Sequence, residues 1–183
     1  MFHFNVKKAV QATALLLHQP GKDARNYYKI VKLLYIAERE SLLETGRPLT
    51  GDTTVAMPHG PALSHICDLI RGEDSRREWA ACFKTKTKPD YELELLDDPG
   101  TCTLCQYEID KLKEVAYRFR DKGKWAMKRL THELPEYRKN DPGRSSKEIP
   151  ISDILGAIGK QRRTAAVKRI ADADRAFARI FGR

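Results

Sequence analysis

At the start of the chain apolar residues recur every three or four positions. Val6, Val10, Thr13 and Leu17 share one face and predict a helix from Asn5 to His18, stopped by Gln19-Pro20-Gly21. Asn26 is placed to cap a second helix running through Glu44. Tyr27, Ile30, Val31, Leu34 and Ile36 make it largely apolar, while Lys29, Lys32, Glu38, Arg39 and Glu40 supply its wetter side. Thr45-Gly46-Arg47-Pro48 ends it, because Gly just past the last turn followed by Pro is a stop signal. Asp52 to Met57 is short, rich in β-branched residues and closed by Pro58, which reads as an edge or extended segment. Met57-Pro58-His59-Gly60-Pro61 follows as a rigid turn, then a third helix from Ala62 to Gly72 with Leu63, Ile66, Leu69 and Ile70 on one face.

Farther on, the period changes. Alternation over Trp79 to Thr87 and again through Tyr91, Leu93 and Leu95 predicts a β-hairpin. A long helix is expected from Thr103 to Lys122, with Cys105 as its first core residue in register with Ile109, Leu112, Ala116 and Phe119. A shorter helix covers Lys124 to Thr131. Pro135, Pro142 and Pro150 then mark an irregular stretch, and Ser152 is placed to cap a short helix through Ile158. The last helix, Lys160 to Phe181, carries Val167, Ile170, Asp174, Phe177 and Phe181 on one stripe, and Asp174 is its polar exception. The expected class is mostly α (α+β), a single compact helical domain with a small β-hairpin. Residues 1–159 form its body, and 160–183 form a basic C-terminal helix packed on it.

Charge changes the picture at one end only. The 183 residues hold 34 Lys and Arg against 25 Asp and Glu, a net charge of +9. Eight of the basic residues and only two acids fall between Lys160 and Arg183, so most of the excess sits on the last helix. Arg162, Arg163, Lys168 and Arg169 there could track phosphates, the basis of a nucleic-acid-binding regulator as the alternative function. Aromatic stacking partners are few on that helix and no helix-turn-helix is evident; a solvated basic face is the commoner outcome. No apolar run approaches a bilayer span and Lys7 and Lys8 interrupt the first apolar stretch, so a cytoplasmic protein without a membrane partner is expected.

Candidate chemistry is sparse. Cys102-Thr-Leu-Cys105 has the spacing of a redox or zinc motif, but no second ligand pair follows, and Asp98-Pro99-Gly100 before it is turn chemistry. His59, His65 and Cys67 lie close in sequence, and His132-Glu-Leu-Pro-Glu136 echoes a zincin helix that Pro135 would break. His59 and His132 read better as hydrogen-bonding residues that fix their turns. No G-x-S-x-G, phosphate loop or dinucleotide fingerprint occurs. No enzyme activity, cofactor or metal is expected.

Three stretches in order carry a resemblance. Asn26 to Glu40 with its Lys32-Leu-Leu-Tyr35 core, then Gly46-Arg-Pro-Leu-Thr-Gly-Asp52, then Val55-Ala-Met-Pro-His-Gly-Pro61, resemble the Panacea domain of the SocA-like antitoxins. Leu130-Thr-His-Glu-Leu-Pro-Glu136 and Ile149 to Leu155 extend the similarity, which spans Phe4 to Leu155. The resemblance implies an antitoxin of a bacterial or phage toxin–antitoxin pair that neutralises a protein toxin encoded nearby. Most members are thought to act by direct contact, and one delivers its toxin to a ClpXP protease, so masking and delivery both stand as routes. Tyr28, Tyr35, Arg39, Arg47, Asp52, Met57, His59, Pro61 and His132 are the expected partner-binding residues. Each has a local alternative: a rigid corner for Met57 to Pro61, a turn amide for Asp52, a nearby carboxylate for Arg47, part core and part rim for the tyrosines. Oligomeric state has no signal in the sequence.

Overall fold

The structure is a computed structural model that describes residues 1–181. Helix α1 (Val6–Leu17) starts at Asn5, whose side chain accepts from the Lys8 amide. Every residue from Ala9 to Leu16 is buried, so α1 runs through the interior rather than along its edge. Its one amide side chain, Gln11, accepts from Thr103 N (2.8 Å) and Oγ1 (2.7 Å) and donates to Pro99 O (3.2 Å), pinning the loop that carries Cys102. Helix α2 (Tyr27–Thr45) packs on α1 and is bounded as its sequence predicts, by Asn26 and by Gly46 at φ 79°.

Its wetter side is a different matter. Lys29, Lys32 and Glu38 are buried, with only Arg39 and Glu40 partly open. α2 is covered almost all round, and each buried charge is met by backbone groups. Lys29 Nζ donates to Lys22 O (2.5 Å) and Arg120 O (3.2 Å).

Strand β1 (Thr54–Ala56) pairs with β2 (Ala62–Leu63), and the turn 57–61 joins them. Strand β5 (Lys147–Glu148) pairs with the other edge of β1, giving the order β2-β1-β5. The segment expected at an edge is therefore central, because two residues of a distant loop supply the second neighbour. Helix α3 (Ser64–Arg71) begins after Ala62 and Leu63, which are spent on pairing. Helix α4 (Arg77–Cys82) replaces the first half of the expected strand: Trp79 and Cys82, three positions apart, are the buried pair, and only β3 (Phe83–Lys86) pairs with β4 (Glu92–Leu95).

Helices α5 (Gln106–Arg118) and α6 (Lys124–His132) complete the first core. Cys105 is an exposed N-cap rather than a core residue: Glu108 accepts from its amide at 2.9 Å, and Leu104 takes the buried place. The Pro-rich stretch contains α7 (Pro135–Lys139) as well as β5, with Pro at the first helical position, where its missing N–H costs nothing. Helix α8 (Ile151–Gly156) starts after Pro150, so Ser152 lies inside it and caps nothing.

A 3-10 turn over Gln161–Arg163 leads into α9 (Thr164–Phe181). Val167 and Ala171 enter a second core with Phe2, Leu42, Leu43, Ile154 and Leu155. The polar exception Asp174 accepts from the His3 amide at 3.0 Å and ties the chain's two ends together. The side chain of Phe181 and residues 182 and 183 of the basic segment lie outside the described residues. About 54% of the chain is helical and 9% strand, a mostly α fold with two small antiparallel sheets.

Candidate functional site

The nine expected partner-binding residues fall into two sets, with Arg47 in neither. Tyr35, Arg39 and Asp52 point inward. Tyr35 has no exposed surface and donates from its hydroxyl to Glu136 Oε1 at 3.1 Å; Arg39 grips the same carboxylate with Nε at 2.5 Å and Nη2 at 3.3 Å. Together they bolt α2 to α7. Asp52 accepts from Thr53 N (2.6 Å), His65 N (3.0 Å), His65 Nδ1 (2.7 Å) and Ile66 N (3.0 Å). It therefore caps α3 from well upstream, meeting amides that the helix itself leaves open. The bond to Asp52 also raises the pKa of His65. Arg47 lies apart, exposed beyond the end of α2, with its carbonyl held by Ser41 Oγ at 2.7 Å.

Tyr28, Met57, His59, Pro61 and His132 converge on one face. Gly60 sits at φ 96°, and a Cβ there would come within 2.9 Å of His132 Cδ2, so the turn lies flat on α6. Tyr137 donates to Met57 O at 2.9 Å and packs its ring at a tilt against His132, 4.5 Å between centroids. Nε2 of His132 is buried without a hydrogen-bond partner among the described residues, and burial together with Lys128 and Lys32 lowers its pKa.

At the tip His59 is exposed, edge-on to Tyr28 at 5.8 Å and with Nδ1 3.3 Å from Lys128 Nζ. Burial of part of the ring and the two lysines hold its pKa down. On one side of it Tyr28, Lys32, Tyr91, Lys124, Trp125 and Lys128 enclose a cleft of about 250 Å³. On the other side a hollow of about 370 Å³ is bordered by Val31, Met57, Ile70, Arg71 and Arg144. Among the described residues no carboxylate lines either. Lys32 forms the floor: it is 4% exposed, donates to Pro61 O at 2.7 Å, and burial pushes its ammonium down to about 7. Tyr91 enters the cleft wall from the left-handed region at φ 55°, a conformation that costs a non-glycine residue roughly 1–3 kcal/mol and is held here by Tyr27 N donating to Tyr91 O at 2.9 Å.

The profile of the family described as Antitoxin SocA-like, Panacea domain, matches residues 30–137. This chain belongs to that family. No curated protein and no solved structure matched it. The Panacea segment runs from α2 to the Tyr137 that holds Met57, narrower than the expected Phe4 to Leu155. It takes in the 57–61 turn and α6 whole, and excludes α1, α8 and α9. Among the described residues no cluster of three or more His, Cys, Asp and Glu could hold a metal, and no helix is long and apolar enough to cross a membrane.

Lys32, Tyr91, Lys124, Trp125 and Lys128 of the Panacea cleft were not singled out from sequence. Lys124 and Lys128 are one turn apart on α6, with Trp125 beside them, and that short basic-aromatic pattern was the available signal. Lys32 was readable as buried only by noticing that apolar residues surround it on every side of α2. The basic set on the last helix divides as well. Lys168 and Arg169 face solvent, while Arg163 Nη1 and Lys160 Nζ reach Leu43 O at 3.4 and 3.1 Å and cap the carboxyl end of α2.

Proposed function

We propose that this chain neutralises a protein toxin encoded beside it by direct, stoichiometric contact, and that the contact face is the cationic aromatic rim around His59. The observation that carries this reading is the character of that rim. Tyr28, His59 and Trp125 are exposed with Lys128 half-buried beside them, three of the four lie in the Panacea segment, and no acid among the described residues lines the cleft with the lysines. Aromatic residues give large contact area for little lost freedom, and a one-signed rim favours a partner with an acidic patch. The reading is of a binding protein with no catalytic step.

The test is a pull-down of the tagged chain from cells that also express the flanking genes, with the captured proteins identified by mass spectrometry. A stoichiometric neighbour product that arrests growth alone and not alongside this chain is the expected result. Combining Trp125→Ala with Lys128→Glu should weaken the complex by roughly tenfold or more, about 1.4 kcal/mol, with an unchanged far-UV CD spectrum. Toxin levels that hold steady in rescued cells mean masking; levels that fall only when a ClpXP-type protease is present mean delivery. Capture of DNA with no protein partner would overturn the reading in favour of a regulator acting through Arg162, Arg163, Lys168 and Arg169.

A further inference from the structure

Buried lysines are ordinarily paired with a carboxylate, since an ammonium out of water is costly. Lys29 follows that pattern loosely, with two carbonyl acceptors and Asp23 and Asp121 near enough to favour its charge. Lys32, one turn later, has Pro61 O as its single hydrogen-bond acceptor among the described residues. An ammonium has three N–H donors, so two are left over. Of its titratable neighbours, Cys67 favours its charge but burial holds that thiol up at about 11, and Lys128 repels it. A second cation, Lys124, lies 5.9 Å from the ring centroids of both Tyr91 and Trp125. Trp125 is 61% exposed and Tyr28 37%, although both are large rings that a core would readily have taken. Among the described residues the cleft thus holds three lysines, the rings of Tyr28, Tyr91 and Trp125 beside the His59 imidazole, and no acid.

We propose that the cleft bounded by Lys32, Lys124, Lys128 and the rings of Tyr28, Tyr91 and Trp125 binds a single nucleotide, an aromatic base joined to a phosphate. The phosphate takes the ammonium groups, satisfying the donors that Lys32 leaves open, and the base lies against the exposed rings. At about 250 Å³ the space is near the lower bound of about 300 Å³ for small-ligand pockets, which suits one base and one phosphate group rather than a run of nucleotides. This site concerns the chain by itself and stands whether or not the rim also meets a toxin.

The experiment is isothermal titration of the full chain, at fixed ionic strength, with adenosine monophosphate, adenosine, inorganic phosphate and a short single-stranded oligonucleotide in turn. The expected result is saturable one-to-one binding of the monophosphate, roughly tenfold or more tighter than adenosine or phosphate alone. Binding should quench Trp fluorescence, and Trp125→Phe should remove the quench. Lys32→Met, which keeps the length of the stem and removes a buried charge, should fold and weaken binding by roughly tenfold or more; Lys128→Ala is the second variant should that one unfold. Because the Lys32 ammonium is depressed toward neutrality, an arriving phosphate raises its affinity for a proton. Titrations at pH 7.5 in two buffers of different ionisation enthalpy should therefore show proton uptake that is absent in Lys32→Met. No saturable binding, equal affinity for monophosphate and inorganic phosphate, tighter binding of the oligonucleotide than of the monophosphate, or full affinity in both lysine variants would each overturn the proposal.

Discussion

Two regions of α2 bury charge in opposite ways. Glu38, near its end, accepts from Leu49 N, Thr50 N, Thr50 Oγ1 and Gly51 N, all at 2.9–3.0 Å. Burial pushes its carboxyl up to about 7 against the pull of those donors, and two donors on each oxygen leave little room for a proton. With Asp52 it forms a clasp in which each carboxylate oxygen already accepts a hydrogen bond, so the hollow of about 250 Å³ that the two border meets acceptors already in use. Lys32, nearer the start of the same helix, has one acceptor at 2.7 Å and a cleft above it. Saturated polar groups hold the architecture in place. The unsaturated one marks where the fold gives up stability, and the exposed aromatic rim gathers around it.

If that contrast holds, breaking the saturated side costs stability and relieving the unsaturated side adds it. The largest loss is expected for Arg39→Ala, which leaves the Glu136 carboxylate buried with no cation and only the Tyr35 hydroxyl to meet it. We expect it to lower unfolding free energy by about 3–5 kcal/mol in chemical denaturation. Asp52→Ala comes next, with about 1–3 kcal/mol lost as the first amides of α3 are left unmet. Lys32→Met should have the opposite sign, a gain on the order of 1 kcal/mol at pH 7. The pH dependence sharpens it. A lysine whose folded pKa falls to about 7 binds fewer protons folded than unfolded between there and its ordinary value. Its penalty is therefore full below pH 7, and the margin of the variant over the parent should close as pH climbs toward 10. His65 is the smallest effect. Its pKa is raised, chiefly by the bond to Asp52, so its contribution is present below its unfolded value near 6.5 and lost as pH rises through the folded one. Denaturation between pH 6 and 8 should show that slope in the parent and a flatter one in His65→Gln.

Some local signals in the sequence were read correctly, and others, the core place expected of Cys105 and the cap expected of Ser152, were not. Asn26 and Gly46 bound α2 because a cap and a left-handed stop are decided within a few residues, and the β3–β4 hairpin follows its alternation. Much of what else escaped was long-range. Asp52 caps a helix through amides 13 and 14 residues further on, and Lys147 and Glu148 are too few to show a strand pattern until β1 offers them an edge. The three buried charges on α2 were misread for a related reason. Polar residues were assigned to a solvent face on a helix that has almost none. Of the site, the turn, Tyr28 and the helix carrying His132 were legible; the cleft roles of Lys32, Tyr91, Lys124, Trp125 and Lys128 were not, because the Lys32–Pro61 bond that brings α2 to the turn joins residues 29 positions apart.

The way α3 is anchored has a bearing on how such a surface can change over generations. Its first turn is fastened to Asp52, and the pairing of Thr54 with Leu63 and Val55 with Ala62 closes the hairpin from both sides. Pro58 and His59 hang outside that frame, exposed at the tip. New residues can be tried at those two places without moving a helix or a strand, so the molecule can acquire a new fingertip while keeping the same hand.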